Sequence, residues 1–74
     1  MIEVKVEIFE AEERDWDIIL QDLIGMNAKN VRRKSYDEKQ EKFLLHCEFD
    51  SEREAERFVV EASENFLCNT KILG

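Results

Sequence analysis

Two stretches of strict alternation constrain this chain more than any other feature. Ile2, Val4, Val6 and Ile8 fall on one side of an extended segment, with Glu3, Lys5 and Glu7 on the other. Phe43, Leu45, Cys47 and Phe49 repeat the pattern against Leu44, His46 and Glu48. A period of two with β-branched and aromatic residues on one side predicts strands buried on a single face. Each is followed by helical spacing. Trp16, Ile19, Leu20, Leu23 and Ile24 fit i, i+3, i+4, i+7, i+8, the apolar stripe of an amphipathic helix. Asp15 is placed to cap its start, and Gly25 to end it in a left-handed conformation. Ser51 and Glu54 have the spacing of a capping box ahead of the stripe Ala55, Phe58, Val59 and Ala62.

The remaining segments complete the order. Residues 30–36 predict a weaker strand, in which Arg32, Arg33 and Lys34 supply the charge that keeps an edge from pairing with another sheet. Asp37 to Glu41 read as a polar turn, and residues 67–73 as a last strand. The order β-α-β-β-α-β, with right-handed crossovers, predicts an α+β chain: the ferredoxin-like split βαβ sandwich. It has a four-stranded antiparallel sheet in the order 4-1-3-2 and both helices on one face. With 74 residues there is room for one domain and one modest core, so residues 1–74 are expected to form a single domain.

Charge excludes some partners. The chain carries a formal charge of −7, which argues against nonspecific binding of nucleic acid or of an anionic membrane. The distribution is uneven. Lys29, Arg32, Arg33, Lys34, Lys39 and Lys42 concentrate positive charge in the second strand and its turn, between two acidic flanks. No apolar run is long enough to span a membrane, and the amino terminus lacks the apolar core of a signal peptide, so a cytoplasmic location is expected. Two cysteines without CxxC spacing read as reduced thiols rather than as a disulfide framework or a zinc site.

Little in the chain has the form of a catalytic centre. His46 is the one histidine, and Cys47, its neighbour on a strand, points to the opposite face. There is no Walker motif and no GxGxxG, and no cofactor is expected. The acidic connection Glu12, Glu13, Asp15 and Asp17 is a weak candidate for a cation, without the glycine turn of a calcium loop. The fold leaves one sheet face uncovered, and alternation places Glu3, Lys5, Glu7, Arg32, Lys34, Tyr36, Leu44, His46 and Glu48 on it. Arg32, Lys34, Tyr36, Leu44 and His46 are therefore the candidate contact residues for a protein partner or a second copy.

The segment IGMNAKNVRRKSYDEK, with Gly25, Val31, Arg32 and Lys34, and the segment VVEASENFLCNTKIL, with Glu61, Glu64, Leu67 and Asn69, resemble the PurS family. These are the small subunits of phosphoribosylformylglycinamidine synthase. The resemblance covers residues 20–73, while the Asp-Pro-x-Gly segment usual in that family is absent. It implies a non-catalytic subunit of an ATP-dependent amidotransferase complex. Such a subunit would bridge a glutaminase and a synthetase in purine biosynthesis, as a dimer or higher oligomer joined through its sheets. The alternative is a stand-alone oligomeric or ligand- or cation-binding module of the same fold.

Overall fold

A computed structural model describes residues 1–74. Strand β1 (Ile2–Ile8) leads through a short 3-10 turn (Glu13–Asp15) into helix α1 (Trp16–Gly25). Strands β2 (Lys29–Asp37) and β3 (Lys42–Phe49) form a hairpin, and helix α2 (Glu52–Asn65) returns the chain to strand β4 (Cys68–Ile72). The sheet order is β2-β3-β1-β4, with every neighbouring pair antiparallel. The expected architecture is the observed one, an α+β sandwich consistent with a ferredoxin-like fold.

The two alternating strands pair in full register, from Ile2 opposite Phe49 to Ile8 opposite Phe43. Their apolar side chains therefore meet on the helix side. Val4, Val6, Ile8, Phe43, Leu45, Cys47 and Phe49 are buried there under Ile19 and Leu23 of α1 and Ala55, Phe58 and Ala62 of α2. Phe49 packs on Phe58 with ring centroids 4.7 Å apart, and Phe43 lies between Tyr36 at 4.6 Å and Trp16 at 5.4 Å. Tilted pairs at these distances add to simple burial. The α1 stripe is narrower than its spacing predicts. Ile19 and Leu23 are buried, Leu20 is half-buried, and Ile24 lies half in solvent.

Three local expectations are corrected. Gly25 is the last residue of α1 rather than the left-handed stop beyond it. That role falls to Asn27 at φ 70°. Asn27 N–H donates to Ile24 O at 3.0 Å and Ala28 N–H to Leu23 O at 3.1 Å, the paired bonds of a Schellman motif. Asparagine tolerates the left-handed region through its short polar side chain. Asp15 does not cap α1 with its side chain; its carboxylate accepts from Glu12 N–H at 2.9 Å across the 3-10 turn. The third correction concerns β2, which carries two register shifts, between Lys29 and Arg32 and between Arg33 and Ser35.

At α2 the serine behaves as its position predicts, with Ser51 Oγ accepting from Glu54 N–H at 3.2 Å. Ser51→Ala removes that acceptor and is expected to cost about 1 kcal/mol of stability. Ser51→Asp, which keeps an acceptor and a negative charge at a helix start, is expected to restore it. Chemical unfolding of the three proteins checks this; equal midpoints would refute it.

Candidate functional site

The uncovered face of the sheet is built in transverse rows, because antiparallel pairing brings one residue from each strand to the same level. Arg32 lies opposite His46, His46 opposite Lys5, and Lys5 opposite Lys71. One basic row therefore crosses all four strands. On one side of it stand Glu3 and Glu48, which face each other across β1 and β3. On the other stand Glu7, Leu44, Ser35 and Asn69. The charges alternate in bands along the strands.

Glu3 anchors one half of the row. Its Oε2 accepts from His46 Nδ1 at 2.6 Å and from Arg32 Nη2 at 3.0 Å. The His46 hydrogen bond holds the Glu3 carboxyl below the usual carboxylate range. Partial desolvation opposes this, and the positive charges of His46, Arg32 and Lys34 reinforce it. Lys42 Nζ pairs with Glu7 Oε2 at 3.0 Å, and Asn30 Nδ2 donates to Glu48 Oε1 at 2.9 Å. Lys5, Lys34 and Lys71 have no carboxylate within ion-pair distance. Three lysines without an internal partner thus lie on this face, beside an Arg32 and a His46 already held by Glu3.

The depressed Glu3 value has a consequence with a definite sign. A carboxyl whose pKa is lower in the folded than in the unfolded chain stabilises the fold above the unfolded value. That contribution is lost as pH falls through the folded one. Glu3→Gln is therefore expected to flatten the acid limb of the stability profile. Urea midpoints measured from neutral pH downward check it; parallel profiles for the two proteins would refute it.

The candidate contact residues divide. Arg32, Leu44 and His46 lie on the open face as alternation predicts. Lys34 is the unpaired residue of the second bulge, exposed and close to Glu3. Tyr36 is on the other side. The extra residue at Lys34 puts Tyr36 opposite Phe43, on the helix face, where its hydroxyl donates to Ala11 O at 2.8 Å. A bulge reverses every side chain beyond it, so counting in twos across the shift misplaces Tyr36. Its position ties β2 to the β1–α1 connection. Desolvation by burial, reinforced by nearby Glu41, Glu13, Glu38 and Glu12, raises its pKa. Arg33, which precedes the bulge and pairs with Leu45, lies on the helix side by simple alternation, with its guanidinium 5.7 Å from the Trp16 ring and 5.6 Å from Phe43.

The acidic connection is occupied by local contacts. Glu12 pairs with Arg14, Glu13 with Arg33, and Asp15 holds the 3-10 turn. No group of three or more potential metal ligands comes together anywhere in the chain, so Glu12, Glu13, Asp15 and Asp17 do not converge. Both cysteines are free; burial pushes the Cys47 thiol up to about 12 and raises that of Cys68. His46 and Cys47 face opposite sides of the sheet, as expected. A groove of about 330 Å³ runs between α1 and the end of α2, where Ile18, Phe66 and Leu67 are among its lining residues.

Lys71 and Lys5 were not singled out by spacing as contact residues. The signal was present: in residues 68–72, Cys68, Thr70 and Ile72 alternate with Asn69 and Lys71. Comparison with family models, with curated proteins and with solved structures gives no match for this chain.

Proposed function

We propose that the chain is a non-catalytic interaction module that docks an acidic surface of another protein on its uncovered sheet face. The observation that carries this reading is the row Arg32–His46–Lys5–Lys71, flanked by Lys34, on a molecule whose net charge is −7. Complementary potential steers encounter and fixes orientation, and arginine is a favoured anchor at interfaces. Its most specific form is the bridging role implied by the resemblance to PurS, between a glutaminase and an ATP-using synthetase of purine biosynthesis. The experiment is capture from extract of the native cell at low salt. Recovery of those two subunits, both released by added salt, is the expected result. Recovery of neither overturns the purine-synthesis role.

The apolar groove between α1 and the end of α2 favours a second reading, a stand-alone module that binds a small apolar ligand. A thermal-shift screen separates the two. A monomer stabilised by such a compound, with no protein captured, supports the second.

A further inference from the structure

The groove between α1 and the end of α2 combines two properties that occur together nowhere else on the surface. The first is uncovered apolar area. Asp15, Ile18, Ile19 and Asp22 recur at i, i+3, i+4 and i+7, so the start of α1 turns one face toward the groove. The chain leaving α2 contributes Phe66 and Leu67, and the chain leaving β1 contributes Phe9. Phe9 N–H donates to Leu67 O at 2.8 Å, which fixes those two segments side by side. Ile18 is 66 % and Leu67 58 % exposed, so apolar surface is left in water here.

The second property is charge of one sign. Seven of the eleven lining residues are apolar, and the other four are Glu10, Asp15, Asp22 and Asn65. None of the three carboxylates has a cationic side chain within ion-pair distance, whereas Glu3, Glu7, Glu12, Glu13 and Asp50 each hold one. Asp15 uses one oxygen on Glu12 N–H and keeps the other. Asn65 donates to Glu61 O at 2.7 Å, which leaves its amide oxygen free. Lys42, 5.8 Å from the Phe9 ring, is held by Glu7. Glu10 lies in the left-handed region at φ 54°, so the turn out of β1 keeps a carboxylate where glycine would be less costly.

We propose that this groove binds a small amphipathic cation: a primary amine whose protonated head meets Glu10, Asp15 and Asp22 and whose hydrocarbon tail covers Ile18, Phe66 and Leu67. The inference rests on the groove being a ligand site, the second reading above, and adds the charge of the ligand. An ammonium group has three donors and no acceptor, which matches carboxylates that have no internal cation. The tail supplies affinity by taking the exposed parts of Ile18 and Leu67 out of water. A carboxylate head in the same place would face three like charges. Apolar walls alone would accept a neutral ligand equally well, and acidic groups alone would hold any cation. Only a molecule with both parts uses both properties.

Four probes at neutral pH separate the contributions. Octylammonium carries head and tail, octanol a tail with a neutral head, octanoate a tail with an anion, and ethylammonium a head with almost no tail. Titrations followed by amide shifts across the whole chain are expected to place octylammonium on residues 8–11, 15–22 and 65–67. It is expected to bind there about threefold or more tighter than octanol, and more weakly as salt is added. Octanoate and ethylammonium are expected to leave these residues unmoved. E10Q/D22N replaces two exposed carboxylates that make no side-chain contact. It is expected to weaken octylammonium about twofold to 30-fold and to leave octanol unchanged. Equal affinity of octylammonium and octanol overturns the proposal and leaves the apolar-ligand reading standing; absence of every probe from the groove overturns both. Ethylammonium binding there as tightly as octylammonium overturns the proposal, as does an octylammonium affinity that falls no further than that of octanol in E10Q/D22N.

Discussion

Phe43→Ala is expected to lower the urea midpoint of this chain sharply, and to unfold it if its stability lies at the low end for its length. Phe43 is fully buried at the level where β2, β3 and α1 converge, with Tyr36 at 4.6 Å and Trp16 at 5.4 Å. Truncating a buried phenylalanine costs about 3–5 kcal/mol in transfer and cavity terms. A domain of this length has about 4–11 kcal/mol in total at typical per-residue stability. The loss also reaches residues beyond the cavity, since the Arg33 guanidinium rests 5.6 Å from the same ring. Phe43→Leu, which keeps most of the volume, is expected to cost less and to fold. Far-ultraviolet circular dichroism with urea titration measures both. A Phe43→Ala protein with a wild-type midpoint would show that the core does not depend on this cluster.

The second large effect concerns binding rather than folding. Replacing Lys5, Lys34 and Lys71 together by glutamine removes the three open-face cations that lack a carboxylate partner and leaves the Glu3–His46–Arg32 cluster in place. Each exposed ion pair with a partner contributes about 0.2–1 kcal/mol, so losing three reduces affinity by about threefold to 150-fold at low salt. The folded chain is expected to tolerate the change, because none of the three is buried. The informative readout is the salt dependence. Wild type is expected to lose captured partner steeply as salt rises, and the triple variant to show a flatter response from a weaker start. A variant that binds as tightly as wild type, with the same salt response, would place the docking surface elsewhere.

The residues that alternated without interruption were the legible ones. Val4, Val6, Ile8, Leu45 and Cys47 are buried because period two admits one inward set, and β1 and β3 pair without a shift. Topology followed, since the helical stripes of α1 and α2 have one apolar face to cover. Position along β2 was not legible. Asn30 and Lys34 look like ordinary polar strand residues, and nothing in their identity marks the register shifts that carry Tyr36 to the helix side. The end of α1 shows the same limit at smaller scale. Gly25 and Asn27 both suit a left-handed residue, and the choice fell to Asn27 because it lets Ala28 reach back to Leu23 in the core. Of the open face, alternation supplied Arg32, His46 and Leu44. The row became visible only when strand register set Lys5 and Lys71 beside them.

The irregularity of β2 also bears on how large an assembly this chain can build. A subunit with two pairing-competent edges is bivalent and can add copies without end, which is the geometry of a fibril. Here one edge is bent away by two bulges and the other is straight. In that sense the two edges are not equivalent. The bulged strand blocks addition of a further strand on its side, so the sheet lacks the two competent edges that an open-ended ladder needs.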